Sequence, residues 1–325
     1  MTLNDPLSGQ PVEVLWVKGS GGDLRTVGRE GFASLDLRQL RDLRREYAAR
    51  RDKGLKSRAE DAMVARYAAA AFGGNPRAAS IDTPLHAFLP GRQVDHLHPN
   101  AIIAIAASAG SRRLTREVFG DTRAYVAWMR RGFELGLAMQ RIARRQPRVR
   151  AIMMGRHGFI AWQDGERACY EATLRFVRRA EAFIARRDAA NGGDATGFGG
   201  PRFPAWAPGR RRAALVALLP WLRRRVAAQG RAIATVQHDA RTLRFVNSRN
   251  ARRLAALGTS CPDHFLRTKI EPLFVDWDPH GETVADLRRK LAAGLQIYRR
   301  NYAAYYRKFR RKDSPPMRDA NPTVI

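Results

Sequence analysis

Between Ser80 and Gly158 the chain switches repeatedly between extended and helical patterning, and this alternation constrains the fold more than any other feature. Val94 to His98 reads as a strand, followed by an Ala/Ile-rich helix from Asn100 to Ala109 behind the breaker Pro99. Arg123 to Met129 reads as extended and Phe133 to Arg144 as helical. Ala151 to Met154 and Phe159 to Trp162 are extended again, and a long helix from about Glu166 to Arg187 closes the run. Short strands and helices in alternation predict an α/β layer arrangement.

Upstream, Val12 to Val17 reads as a strand and Lys18-Gly19-Ser20-Gly21-Gly22 as the loop after it. Its glycines let backbone N–H groups converge on a phosphate, but it lacks the Gly-Lys-Ser/Thr ending of a Walker motif and reads equally well as a flexible turn. Leu37 to Ala49 and Arg58 to Phe72 carry helical spacing, and Gly73-Gly74-Asn75-Pro76 ends the second. Downstream, the Gly/Pro-rich stretch Asn191 to Gly209 predicts a linker, which divides the chain into residues 1–190, 191–209 and 210–325. Arg210-Arg211-Arg212 and Arg223-Arg224-Arg225 bracket an apolar stretch interrupted by Pro220, the most cationic surface to expect. Ala232 to Val236, Leu243 to Val246 and Ile270 to Val275 read as strands, and Val284 to Arg311 as a long helix. The tyrosines Tyr298, Tyr302, Tyr305 and Tyr306 of that helix have the spacing of packing residues.

A hydrophobic fraction of 45% over 325 residues is ample for a packed core in one large domain or two modest ones. No run reaches the ~18 apolar residues of a membrane span, and Met1 to Pro11 has no signal-peptide pattern, so a soluble cytoplasmic protein is expected. Two cysteines, Cys169 and Cys261, are too few for a disulfide framework. Lys+Arg 59 against Asp+Glu 30 gives a formal charge of +29, which raises the question of nucleic acid. The arginines, however, pair on Ala/Leu-rich helical stretches, as in Arg178-Arg179, Arg186-Arg187 and Arg288-Arg289. No RNA-binding sheet signature, paired-cysteine finger or heptad-flanked basic region accompanies them. Non-specific polyanion binding is the expectation.

His96 and His98 stand one residue apart in a strand, where side chains i and i+2 share a face, so both imidazoles can reach one cation. A lone His-x-His is weak evidence. His157, in the turn Met154-Gly155-Arg156-His157-Gly158, supplies a third imidazole, and three neutral histidines leave open positions on zinc, as in a catalytic site. Asp82, in Ser80-Ile81-Asp82-Thr83-Pro84-Leu85-His86, has two open readings: a helix cap, or a carboxylate for proton transfer beside the metal. His86, one helical turn on, reads as a packed or supporting residue. Cys261-Pro262-Asp263-His264 reads as a structural turn and not a second metal site.

The string from Ser80 to Pro90, continuing into Val94-Asp95-His96-Leu97-His98-Pro99, resembles the class II aldolase/adducin family, and within it the bifunctional rhamnulose-1-phosphate aldolase/lactaldehyde dehydrogenase branch. Leu15 to Gly21, Gly132 to Leu137, Cys169-Tyr170-Glu171 and Leu257 to Lys269 carry the same resemblance, in order and across nearly the whole chain. The resemblance implies a three-layer α/β/α domain around a mainly antiparallel sheet, with a C-terminal α/β extension. It also implies a homo-oligomer, expected as a tetramer, and zinc-dependent cleavage of a ketose 1-phosphate to dihydroxyacetone phosphate and L-lactaldehyde. By position, His96, His98 and His157 match the metal histidines, and Asp82 falls where simpler sugar-phosphate aldolases place a catalytic glutamate. Zn2+ or another divalent ion is the implied cofactor, a sugar phosphate the implied partner, and Lys18, Gly19, Ser20 and Gly21 the residues nearest to a phosphate loop.

Several positions depart from the family pattern. A Gly-Gly-Asn-Thr/Ser phosphate loop is usual before the strand at Leu15 and does not occur in this sequence, and Ile325 stands about where the bifunctional members run on into the dehydrogenase, so no NAD site is expected in this chain. Arg131 stands where proline is usual, Asn100 where aspartate is, and Arg156 sits beside the third histidine. These departures set a second expectation beside the active aldolase, a shortened and catalytically weakened relative.

Overall fold

A computed structural model describes residues 1–21, 23–49, 56–120, 124–227, 232–312, 314–317 and 319–325. The expected loop therefore loses Gly22, and the extended stretch loses Arg123, from the described residues. The chain divides into two units, Met1–Glu181 and Ala182–Ile325.

The first unit begins with β1 (Thr2–Asn4), β2 (Pro11–Lys18) and β3 (Phe32–Asp36), an antiparallel sheet in that order with Val14 opposite Asp36 and Lys18 opposite Phe32. Two helices follow, α1 (Leu37–Ala49) and α2 (Lys56–Arg66). The helix expected over Arg58 to Phe72 tightens into a 3-10 turn at Tyr67–Ala70, because Ala71 and Phe72 are drawn off to pair with Leu35 and Ser34. Val17, Leu35, Leu40, Met63 and Tyr67 form the core of this layer, with Phe88 and Phe133 inserted from later elements.

Next come α3 (Thr83–Ala87), β4 (Gln93–Leu97), α4 (Asn100–Ala106), α5 (Ser111–Phe119), β5 (Ala124–Val126), α6 (Phe133–Arg145), β6 (Ala151–Met154), β7 (Gly158–Gln163) and α7 (Glu166–Ala190). The sheet order is β4-β7-β6-β5, antiparallel except where β5 runs parallel to β6. β6 is buried throughout and β7 nearly so, as strands covered on both faces must be. On one face Ile152, Met154, Ile160 and Trp162 pack against Leu85 and Leu89, and against Leu135, Ala138, Met139 and Ala143 of α6. On the other, Phe159 stacks with Phe176 of α7, which stacks in turn with Phe119 of α5. The expected layered α/β arrangement with a mainly antiparallel sheet is present.

The second unit contains α8 (Pro208–Val226), α9 (Ala240–Val246), α10 (Ala251–Ala255), α11 (Pro262–Thr268) and α12 (Val284–Phe309). Here the strand expectations are corrected. Leu243 to Val246 lies in α9, whose N-terminus is fixed by Asp239 accepting from the Arg241 and Thr242 N–H groups; that cap outweighs the β propensity of the segment. Ile270 to Val275 forms only isolated backbone bonds, Thr259 N–H to Ile270 O at 3.0 Å and Leu273 N–H to Val324 O at 2.9 Å, and Ala232 to Val236 forms no ladder. Among the described residues the unit's only β pairing is the bridge Pro201–Ser248. α8 runs through Pro220, with Pro208 at its first turn. α12 opens on a Thr283/Asp286 capping box and buries Leu291, Leu295 and Tyr298, while Tyr298, Tyr302 and Tyr305 stack along it.

Candidate metal centre

His96 lies on β4 opposite Ile160 of β7, and His98 follows one residue after the strand ends. β6 and β7 are joined by the turn Gly155-Arg156-His157, so His157 comes back to the end of the same sheet where β4 delivers the other two. The turn is held by three backbone bonds: Gly155 N–H to Val126 O at 2.9 Å, Arg156 N–H to Ala106 O at 2.8 Å and His157 N–H to Met154 O at 3.1 Å. Arg156 takes a left-handed conformation there, φ 55°, rare for a residue with a side chain. Gly158 is required for close approach, since a Cβ at that position would run into the His98 ring and the Leu97 carbonyl.

One ring nitrogen from each of His96, His98 and His157 lies within 4.8 Å of the other two, and the Nε2 atoms of His96 and His98 are 3.1 Å apart. Tetrahedral zinc with bonds of about 2.0–2.1 Å holds its nitrogens roughly 3.3 Å apart, so the three donors fit a divalent ion after small adjustments. His157 is 2% exposed, while the other two are only partly covered.

Asp82 precedes α3 at the N-cap position, yet its side chain makes no capping bond. Thr83 and Ser80 close the turn between themselves, Thr83 Oγ1 donating to Ser80 O at 2.7 Å. The carboxylate instead accepts from Arg131 Nη1 at 3.2 Å. His86, on α3, brings its ring to 6.4 Å from that of His96.

Residues 7–184 match the family model described as "Class II Aldolase and Adducin N-terminal domain", and residues 213–325 match "Aldolase class II, second domain". The chain belongs to the class II aldolase and adducin family. It is 30% identical over 324 residues to the "Uncharacterized oxidoreductase YuxG" of Bacillus subtilis (strain 168), a match that takes in 100% of this chain and 45% of that protein's length. A solved N-terminal class II aldolase domain of a conserved protein from Thermoplasma acidophilum is 27% identical, with a TM-score of 0.49, over 57% of this chain and 80% of that one.

The surroundings of His86 and His96 favour the neutral imidazole, the form that binds a metal. Burial pushes His86 down to about 4, against the opposing pull of Asp95 and of a hydrogen bond with the Val94 backbone. Burial also holds His96 well below the usual histidine range, reinforced by His157, His98, His86 and the Arg131 guanidinium. Arg131 therefore acts on both Asp82 and His96.

Lys18 to Gly21 is engaged elsewhere in this class II aldolase/adducin member. Gly19 N–H donates to Gly31 O at 2.9 Å, Arg77 donates to Ser20 O at 3.0 Å, and the Lys18 ammonium folds onto the carbonyls of Gly19 and Gly21. Ser20 and Gly21 are exposed. Cys261 stands at the N-cap position of α11 without a side-chain capping bond, Pro262 takes the first helical position, and His264 lies 3.5 Å from Ser260 Oγ.

Two residues escaped the sequence reading. Arg131 registered only as a departure from pattern. Glu60 is 2% exposed and its carboxylate accepts from the Phe133 and Glu134 N–H groups at 2.7 and 2.9 Å, holding the start of α6. Gly132 before it has φ 127°, and a Cβ there would strike Glu60. The signal was present: Glu60, Met63 and Tyr67 fall at i, i+3 and i+7 on the buried stripe, an acid where an apolar residue belongs.

Proposed function

We propose that the chain is a divalent-metal-dependent lyase that cleaves a ketose 1-phosphate of the rhamnulose 1-phosphate type to dihydroxyacetone phosphate and L-lactaldehyde. The observation carrying this reading is the convergence of three imidazoles in a class II aldolase/adducin domain. His96, His98 and His157 are assigned as ligands of zinc or a similar ion. Lewis-acid stabilisation of the negative charge developing on substrate oxygens is the chemistry a bound divalent ion supplies there.

The reaction removes a proton from the hydroxyl beside the scissile bond and breaks that carbon–carbon bond, releasing the aldehyde. The electron pair stays on the three-carbon fragment as an enediolate, whose carbon then takes a proton. Asp82 is assigned to carry protons in this exchange and Arg131 to orient its carboxylate. The phosphate is assigned to Lys18, Gly19, Ser20 and Gly21, with Lys18 turning from its own loop carbonyls to the ligand. The site is assigned to a cytoplasmic homo-oligomer, a tetramer. The oxidoreductase of the relative's name is assigned to the part of that protein which this chain does not match.

A second reading, a weakened adducin-like member, is favoured by the inward fold of Lys18 and by the arginine already on Asp82. The two separate in one assay. Zinc-loaded protein is given rhamnulose 1-phosphate, and dihydroxyacetone phosphate is followed by its enzymatic reduction with NADH. Release that stops on chelation and returns with metal supports the lyase. No release from protein that demonstrably holds its metal supports the weakened member.

A further inference from the structure

One cavity of the first unit shares no residue with the histidine site. It has a volume of about 550 Å³, and its walls come from the far ends of the elements that build that site: Gln140 and Arg144 late in α6, Trp162 late in β7, and Phe88 just after α3. β7 begins beside His157 and α6 begins beside Arg131, so strand and helix lengths of roughly 20 Å separate the two places.

The polar lining is dominated by donors. Arg41, Arg144 and Arg150 all border the cavity, against a single acid, Asp164. Arg41 is braced by Glu13 at 2.8 Å, and Arg150 by the carbonyls of Pro147 at 2.6 Å and Val149 at 3.2 Å. Arg144 has no ion-pair or hydrogen-bond partner among the described residues. Gln140 accepts from Arg44 Nη1 at 3.0 Å through its Oε1, which leaves its NH2 group to donate. Trp162 is 1% exposed, and its buried indole N–H has no acceptor among the described residues. Phe88 and Ala143 supply apolar wall.

Three guanidiniums and an amide donor beside an apolar wall call for an acceptor-rich anion on a compact, partly apolar body, and the volume suits a small molecule. We propose that this cavity is a second ligand site, for a small phosphorylated organic molecule, separate from the histidine centre.

Phenyl phosphate and inorganic phosphate are the probes, titrated into the full chain by calorimetry and by tryptophan fluorescence at moderate salt. The site predicts saturable 1:1 binding, tighter for phenyl phosphate. Arg144→Gln and Arg150→Gln should each weaken it about tenfold, and the fluorescence change should be lost in Trp162→Phe. Arg178→Gln, an exposed arginine of α7 outside the cavity, controls for the +29 charge. His96→Ala/His98→Ala controls for the histidine site. Both controls should bind as wild type does. Equal weakening in Arg178→Gln would reduce the effect to diffuse charge, and loss in the histidine variant would move the anion to the metal centre; either overturns the proposal. So does unchanged binding in Arg144→Gln, or a cavity variant that alters only the oligomeric state. Because the probe needs no turnover, failure of the lyase assay leaves this result standing.

Discussion

Arg131 donates to the Asp82 carboxylate across 3.2 Å, and with side-chain exposures of 17% and 11% the pair is largely screened from water. Asp82 occupies a helix-cap position without capping, so the carboxylate is aimed by the arginine and not by the helix it precedes.

Asp82→Asn separates aiming from proton transfer. Asparagine keeps an oxygen for Arg131 but takes up no proton. Turnover of the ketose 1-phosphate should fall by ~10²- to 10⁴-fold, with a smaller change in KM, while the melting temperature moves by only a few degrees. Steady-state kinetics beside a thermal melt check both halves. Undiminished turnover would sink the catalytic assignment.

Arg131→Ala removes a cation that acts on His96 as well as on Asp82. Like charge near a cation site weakens it, so divalent-metal affinity should rise by about tenfold while stability falls by about 1–3 kcal/mol. Competition against a chromophoric chelator measures the first and denaturant unfolding the second. Unchanged affinity would show that the guanidinium is too well screened to matter at the metal site.

Metal content tests the triad directly. Protein purified without chelators should hold about one zinc-class ion per chain, and His96→Ala/His98→Ala should hold almost none, since one remaining imidazole cannot retain it. Equal content in both by elemental analysis would remove the metal assignment.

Much of this centre was legible in the sequence because its donors come from local patterns. His-x-His on a strand fixes a shared face, and the tight turn at His157 fixes the return. What brings the turn to β4 is the register of β7 between β4 and β6, which no local pattern states. β3 was missed because Phe32 to Asp36 becomes a strand only against β2, and α5 because Ser111 to Phe119 carries charged residues among its apolar ones. The strands expected near Leu243 and Ile270 failed for the converse reason. β-branched and aromatic residues favour a ladder only when a partner edge is at hand, and a good cap decides otherwise. Arg131 stayed illegible because its significance is a contact with Asp82, 49 residues away.

Cys169 supplies a pH test away from the histidines. Its thiol is 1% exposed, donates to Gln93 O at 3.5 Å, and is raised to about 11 by burial first and by nearby Asp95 next. A raised thiol stays protonated and inert, so its stabilising contribution is full below the ordinary thiol value near 9 and is lost as pH rises toward 11. In a Cys261→Ser background, alkylation by iodoacetamide should be negligible at pH 8 and should appear only as the solution approaches pH 11. The melting temperature should drop over the same interval. Rapid alkylation at pH 8 by a folded protein would contradict the buried placement.

Gly158→Ala probes how the turn and the strand meet. Added to the backbone, one methyl group would overlap the His98 ring and the Leu97 carbonyl, while β6 and β7 on the far side of the turn keep their pairing. The ring is the softer of the two obstacles, because it can swing about its own side-chain torsions where the carbonyl is fixed in the chain. The methyl should therefore displace His98 first, costing about 1–3 kcal/mol of stability in overpacking but a larger share of metal binding, because a two-histidine site lacks a third donor. The expected result is a folded protein with a modestly lowered melting temperature and metal affinity reduced by at least a hundredfold. Full metal affinity in this variant would mean that His98 is not held where the ligand set needs it. A protein that fails to fold would instead make Gly158 a requirement of the hairpin, and His98→Ala, which leaves the hairpin glycine in place, would then measure the third donor on its own.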